Sequence, residues 1–320
     1  MHPLYLQSYL HYFMKLFSKL LFLLLLFVQG FCFTSISQEE GDETDKPGKL
    51  KAGKGFHVGI TVGGFFANNA GAQIYDGYGL DGNGGKNDFA NSYMLQKINQ
   101  YGGFTSPFVD QIAQAMSVDG QIVNHDGWSF SESDMPIQMR YNPSILIGLA
   151  CRYFVDKKNT LIFNVNATKI RANGAFTITL LNPIYSSQTF KTFSITGGEQ
   201  RLMFQLGYQR ILGNNAKANM FIEAGLNLTM AKFDKNQIAI NNLVIDLFTY
   251  YNPNGQQTIA LQKPVTVNLG AFAGLGLNIT MTTKTTLQVL YAPVFERLKL
   301  GYDTGLQLHH SVALRAYYNF

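Results

Sequence analysis

From Gly55 onward, apolar side chains return at every second position in eight separate segments. A period of two belongs to an extended strand, whose successive side chains point to opposite faces, and not to a helix with its period of about 3.6. The first segment, 55–67, sets Phe56, Val58, Ile60 and Val62 against His57, Gly59, Thr61 and Gly63. The second, 144–154, sets Ile145, Ile147, Leu149, Cys151 and Tyr153 against Leu146, Gly148, Ala150 and Arg152. Segments 161–168, 201–209 and 220–230 follow the same rule, and 265–280 is the most regular, with Val265, Val267, Leu269 and Ala271 leading its apolar face. A seventh spans 287–291, and the eighth, 307–320, closes the chain. In that last strand Leu308, Val312, Leu314, Tyr318 and Phe320 share one face, and Gln307, His309, Ser311, Arg315 and Asn319 the other.

The connections alternate in length. Those after segments two, four and six are tight turns, those after one, three and five are long, and the one after seven is intermediate. An even number of strands with short turns at one end and long loops at the other is the pattern of an outer-membrane barrel, with both termini periplasmic and the loops extracellular. A closed barrel also leaves no backbone group unpaired inside lipid. A soluble β-sandwich shares the alternation but predicts connections of similar length at both ends. The expected fold is therefore all-β: an eight-stranded antiparallel transmembrane β-barrel with long extracellular loops. The apolar face of the last strand then meets lipid, its polar face meets the lumen, and Tyr318 and Phe320 sit at the periplasmic interface.

The N-terminus supports export. Residues 1–37 hold Lys15 and Lys19, no acid, and a short apolar run from Leu20 to Val28, closing on small residues around Ser35 and Ser37. That is the layout of a secretory signal peptide, with cleavage expected near Ser37 and Met14 as a plausible initiator. The apolar run is too short for a comfortable helical span. Residues 38–54 are charged, lack apolar spacing and are expected to form a flexible periplasmic lead-in. After cleavage one cysteine remains, Cys151, which argues against a disulfide scaffold. Loss of Lys15 and Lys19 takes the 25 basic residues to 23 against 20 acids, too small an excess to suggest nucleic acid as a partner.

Eight strands enclose a space just wide enough for side chains to fill. The inward set includes Arg152, Arg201, Glu223 and Arg315, with Gln205, Gln209, Gln288, Gln307, Phe221, Phe272 and Tyr317. Charges so confined must pair or be solvated, and Glu223 is the expected counter-ion of Arg152 or Arg315. A plugged lumen is expected rather than an ion path, and a diffusion porin needs many more strands. His309 and Ser311 lie two apart on one strand face, a spacing that resembles the dyad of outer-membrane lipid A deacylases. They face the lumen rather than lipid, and no acid follows Ser311 to orient the histidine, so a hydrolase is a remote alternative. The adjacent His125 and Asp126 are a weaker hint of the same kind. Asp81, Asn83 and Asp88 invite a calcium reading, but the glycine and the bidentate glutamate of an EF-hand loop are missing from their required places. No catalytic residue, metal site or cofactor follows from these patterns.

The functional signal lies in the loops. The first, about 68–142, far exceeds ordinary loop lengths. Its stretches 89–98 and 108–116 have helical apolar spacing, and Pro107 stands where a helix start tolerates it. Trp128 and Phe130 follow, and the third long loop carries an apolar run from Ile238 to Leu247, Phe248, Tyr250 and Tyr251. Loops this apolar pack on one another as a cap, cover a partner, or do both.

The mature start at Gln38, the glycine-rich first strand GFHVGITVGGFF and the closing LRAYYNF resemble the small PorT-like and OmpX-like eight-stranded barrels of Bacteroidota. The oversized first loop departs from that pattern. The final strand, with Tyr318 and Phe320, also resembles the C-terminal signal by which barrel-assembly machinery recognises its clients. The resemblance implies a non-catalytic, accessory subunit of a larger outer-membrane machine for protein secretion, barrel assembly or nutrient import. Its partners would be membrane lipid, a larger barrel or a surface lipoprotein. The competing class is a free-standing surface binder or adhesin.

Overall fold

The computed structural model describes residues 55–81, 84–103, 110–117, 123–181, 190–215, 217–252, 257–260, 263–300 and 305–319. The expected signal segment, the lead-in and Phe320 lie outside the described residues. Eight long strands form the body: β1 (Gly55–Phe66), β2 (Ser144–Phe154), β3 (Asn159–Leu180), β4 (Phe190–Leu212), β5 (Ala218–Ile240), β6 (Val265–Thr280), β7 (Thr285–Glu296) and β8 (Gln307–Asn319). Each pairs antiparallel with its neighbours in sequence, and β1 pairs with β8 through ten residues, His57 opposite Asn319 to Phe66 opposite His310. The ring is therefore closed, with no free edge among the eight.

The two faces carry opposite chemistry. Outward are side chains such as Ile60, Leu149, Leu206, Leu226, Val267 and Leu314, all exposed, with Ile60 58% accessible. On β5 the outward residues from Met220 to Met230 are all apolar. Eleven residues on a strand tilted by about 45° rise about 25 Å, the height of a bilayer's apolar layer. Such a continuous greasy belt is stable against lipid and not against water. Among the described residues no helix is long and apolar enough to cross a membrane.

At one end, the turn end, short turns are held by their own side chains. Asp156 Oδ1 accepts from the N–H groups of Lys158 (2.7 Å) and Asn159 (2.9 Å), an Asx turn between β2 and β3. Gly213 supplies a φ of +96° between β4 and β5, where a side chain would strain the backbone. Thr282 accepts from Lys284 and Thr285 between β6 and β7.

At the other end, the loop end, the structure corrects the sequence-based boundaries. β3, β4 and β5 run far past 168, 201 and 230, so much of what the sequence suggested as loop is strand. The alternation persists there, but its meaning inverts. Along β3, Leu161, Phe163 and Val165 face out within the belt, whereas Ile170, Ala172, Phe176 and Ile178 face in above it. Outside lipid the outer face meets water, and the inner face needs an apolar partner.

The first loop is that partner. It forms a 3-10 turn at Asn69–Tyr75 and two helices, α1 (Tyr93–Tyr101) and α2 (Gln111–Met116). Both helices start later than their apolar spacing suggested, because their caps decide the start. Ser92 accepts from the Leu95 N–H at 3.2 Å and Asp110 from the Ala113 N–H at 2.7 Å. Pro107 lies outside the described residues. Met94, Ile98, Ile112, Met116 and Trp128 pack against Ile170, Phe176, Phe193, Ile195, Phe233 and Ile240 in one buried core. Two short strands of the same loop, Trp128–Ser129 and Arg140–Tyr141, pair with β3, while Leu243–Asp246 pairs with β5. The result is a folded head on a barrel.

Candidate functional site

The lumen is filled in tiers. Small and large residues alternate across it, so that Phe272 lies over Gly207 and Gly225, where any Cβ would come within 2.8 Å of its ring. Nearest the turn end, Arg152 Nε donates to His57 Nδ1 and its Nη1 to Asn278 Oδ1, both at 3.1 Å, and its guanidinium stands 4.1 Å from the Tyr317 ring centre. One level up, Arg315 grips Glu223 with both terminal nitrogens, at 2.8 and 3.0 Å. Gln209 donates to the same carboxylate at 3.1 Å, and Gln288 bridges Gln209 to Asn278. Gln205 then accepts from Asn164 and Asn166 at 3.3 Å each.

At the mouth, Glu199 gathers three donors. Arg201 Nε binds Oε1 at 2.6 Å, and the Tyr75 and Tyr141 hydroxyls bind Oε2 at 2.9 and 2.8 Å. Arg201 also lies 3.7 Å from Glu296 Oε1, and His309 Nε2 lies 3.4 Å from the same oxygen. Glu296 Oε2 accepts from Asn227 and Thr229. Arg315 is paired with Glu223 and Arg201 with both Glu199 and Glu296, whereas Arg152 is held by His57, Asn278 and the Tyr317 ring; the three arginines and three glutamates are all buried and equal in number. Balanced, hydrogen-bonded charge is what makes such burial tolerable.

Of the expected network, Glu223 and Arg315 are brought together, Arg152 turns instead to His57 and Asn278, and Arg201 sits at the far end of the lumen. Glu199 and Glu296 were not among the expected residues, although each continues the inward parity of its strand beyond the boundary the apolar pattern suggested.

The hydrolytic hints do not assemble. Ser311 donates its hydroxyl to the Ala292 carbonyl at 3.0 Å, and His309 Nδ1 accepts from the Asn68 N–H at 3.0 Å, so neither is set to activate the other. His125 meets Asp110 at 3.0 Å rather than its neighbour Asp126. Asp81 and Asp88 bind nearby backbone N–H groups of Gly85 and Asn91, and Asn83 lies outside the described residues. Among the described residues no three His, Cys, Asp or Glu side chains come together as a metal site.

The apolar loop residues are held within the head. Trp128 is buried and donates Nε1–H to Asp110 at 2.9 Å. Phe130 packs on the rings of Phe89 and Phe176. Leu247 and Phe248 are buried, with Phe248 4.2 Å from Phe233 between ring centres. The structure therefore corrects the expectation that Trp128, Leu247 and Phe248 offer surface to a partner, because the extended strands need that surface first. Tyr250 and Tyr251 lie on the strand Thr249–Asn252, which pairs with Gln257–Ala260; their side chains lie outside the described residues. Tyr318 faces outward at the turn end.

The head is latched to the barrel by Tyr75. Its ring stacks on Phe233 at 5.0 Å and rests where Gly197 leaves room, since a Cβ at Gly197 would lie 2.2 Å from that ring. Burial and the neighbouring Glu199 charge raise the pKa of both Tyr75 and Tyr141 well above the ordinary tyrosine range, so both phenols remain donors. Burial lowers the pKa of Lys97 on α1.

No family model and no curated protein matches the sequence. Among solved structures, the chain is similar to Neisserial surface protein A, at 8% identity and a TM-score of 0.40, covering 84% of this chain and 100% of that one. Ail of Yersinia pestis, solved with the heparin analogue sucrose octasulfate, is 12% identical with a TM-score of 0.33, over 83% and 99% of the two chains. OprG of Pseudomonas aeruginosa is 8% identical with a TM-score of 0.35, over 85% and 99%. The barrel assignment stands on the closed ring of strand pairings and the outward apolar belt.

Proposed function

We propose that the protein is a non-enzymatic, sealed outer-membrane barrel that serves as an accessory subunit of a larger outer-membrane assembly, presenting a folded extracellular head. The observation that carries this reading is the continuation of β3, β4 and β5 into that head. Three strands projected beyond the membrane and packed with a capping loop give a rigid platform on which a partner can dock. The lumen, filled by buried and mostly paired side chains, supports the same reading.

The head also keeps apolar side chains in the open beyond the belt: Ile137 at 84%, Val244 at 59%, Leu181 at 54% and Phe190 at 52% exposure. These are the side chains the reading assigns to a larger barrel or a surface lipoprotein. The process, whether secretion, barrel assembly or nutrient import, follows from the partner's identity.

The test is affinity isolation of a tagged copy from gently solubilised outer membranes, followed by native electrophoresis and mass spectrometry of what co-elutes. A stoichiometric large barrel or lipoprotein, lost when Val244 and Phe190 are changed to Ser, is the expected result. A clean monomer would refute the subunit reading and leave the free-standing surface binder in its place.

A further inference from the structure

The outer face of the barrel changes character abruptly along one hydrogen-bonded row. Ala167, Leu202, Met230 and Val267 stand opposite one another across β3, β4, β5 and β6 and form an apolar row of the belt. One outward step toward the loop end, about 7 Å along each strand, the row becomes Lys169, Gln200, Lys232 and Val265. The next step places Arg171 opposite Gly198 and Gly198 opposite Lys235. A register shift between Gly198 and Glu199 gives β5 one extra residue, Asp234, which stands beside Lys235 on this outer face and meets Lys169 at 2.8 Å. Lys263 reaches the Asp234 carbonyl from the β6 side. Five cations and one acid thus occupy two adjoining rows directly above the belt.

Gly198 sits between Arg171 and Lys235 with no side chain, and a Cβ there would contact the Lys235 side chain at 3.4 Å. Gly198 is buried beneath the Lys235 side chain, so the absent side chain lets Lys235 lie flat on the sheet between the flanking cations. Gln200 below it adds an exposed amide donor. Asp234 offsets one cation: its hydrogen bond with Lys169 holds its carboxyl below the usual range. The remaining excess has no counter-charge within the two rows.

We infer that this face of β3, β4 and β5 binds the phosphate groups of a membrane lipid headgroup. The inference rests on the barrel crossing a membrane and is independent of the subunit reading. Three observations converge on lipid rather than a soluble anion. The cations begin one step beyond the last apolar row, which is where headgroup phosphates lie. They face sideways along the bilayer, away from the mouth and the head's core. The apolar row beneath offers a surface for acyl chains of the same molecule. A lipid bearing phosphomonoesters on a sugar headgroup fits the width of three neighbouring strands, about 10 Å.

The test uses the full chain purified in a neutral maltoside detergent and native mass spectrometry with added lipid A, a diphosphorylated diglucosamine lipid, or the same lipid with its phosphates removed. The phosphorylated form is expected to bind about tenfold more tightly or better, and the triple variant Arg171→Gln, Lys232→Gln, Lys235→Gln to erase the difference. These side chains lie on the outer face, so the variant should keep its folded, heat-modifiable migration on gels. The matching variant at the turn end, Lys157→Gln, Lys158→Gln, Lys217→Gln, should leave the preference intact. Equal binding of the two lipids, or equal loss in both variants, would overturn the inference. So would full displacement by inorganic phosphate at the lipid's own concentration, which would mark a free-anion site, or capture of heparin fragments without discrimination between the lipids, which would mark a glycan surface.

Discussion

Glu199 receives a guanidinium and two phenols, and only one of its three partners comes from its own strand. The other two belong to the first loop, so this carboxylate joins head to barrel. Removing one hydroxyl, as Tyr141→Phe or Tyr75→Phe, should cost about 2 kcal/mol of docking, the worth of a hydrogen bond to a charged group. Faster amide exchange in α1 and in 128–141, with the belt strands unchanged, is the expected readout. The pH dependence follows from the same groups. Both phenols titrate at the ordinary value, near 10, when undocked and well above it when docked. The docked state therefore holds more protons above that value, and docking is fully present below it and weakens as pH rises past about 10. The double Phe variant should lose that alkaline slope. The Glu223 and Arg315 pair makes a separate prediction. Arg315→Met strands a buried carboxylate and should lower stability by about 3–5 kcal/mol, whereas adding Glu223→Gln should restore most of it, read from urea midpoints in detergent micelles. That pair was legible in the sequence, because both residues lie on the inward parity of segments whose outward partners are plainly apolar. Glu199 and Glu296 were not: past Glu199 the apolar residues Phe193 and Ile195 move to the inward face, so the phase inverts, and at Glu296 the strand ends.

At the scale of elements, the belt was readable because lipid and lumen demand opposite chemistry from alternate residues. β2 and β6 run as their alternation indicated, from Ser144 to Phe154 and from Val265 to Thr280. The extensions were not readable for a physical reason. At Lys169 the outer environment changes from lipid to water, and the apolar residues move from odd positions such as Val165 to even ones such as Ile170. A strand crossing that boundary looks like a strand that has ended. On β5 the extra residue Asp234 shifts the phase as well, so Ile238 and Ile240 face inward where parity with Met230 predicts outward. The apolar run from Ile238 to Phe248 was legible as too greasy for a solvated loop, but its partner lies in the first loop, distant in sequence. Gly197 tests how head and barrel fit. Its replacement by Val puts a branched side chain where the Tyr75 ring lies. The expected outcome is a barrel that still folds and keeps heat-modifiable migration, with a head that opens to limited proteolysis near Tyr93 and Tyr101.

At the scale of the whole molecule, closure of the lumen does not depend on the head. Below the mouth stand the Gln205 amide cluster, the Glu223 and Arg315 pair, and Arg152 against Tyr317, each spanning between strands. Phe272 and Phe221 fill the space beside them. A barrel of eight strands leaves no room for a hydrated ion to pass side chains so fixed. The prediction is that the protein in planar bilayers shows no stepwise conductance, and that Gly197→Val, with its head released, stays equally silent. Clearing the lower charges alone, by Arg315→Ser with Glu223→Ser and Arg152→Ser, leaves the Gln205 cluster and the Glu199, Arg201 and Glu296 tier across the lumen, so that variant should stay silent as well. Steps in the native protein would show the lumen to be a gated path and the charge tiers to be its gate. Silence in all three proteins would establish a plug of several tiers, none of which alone holds the lumen shut. The barrel would then be left with two surfaces on which to act, its lipid-facing belt and its head.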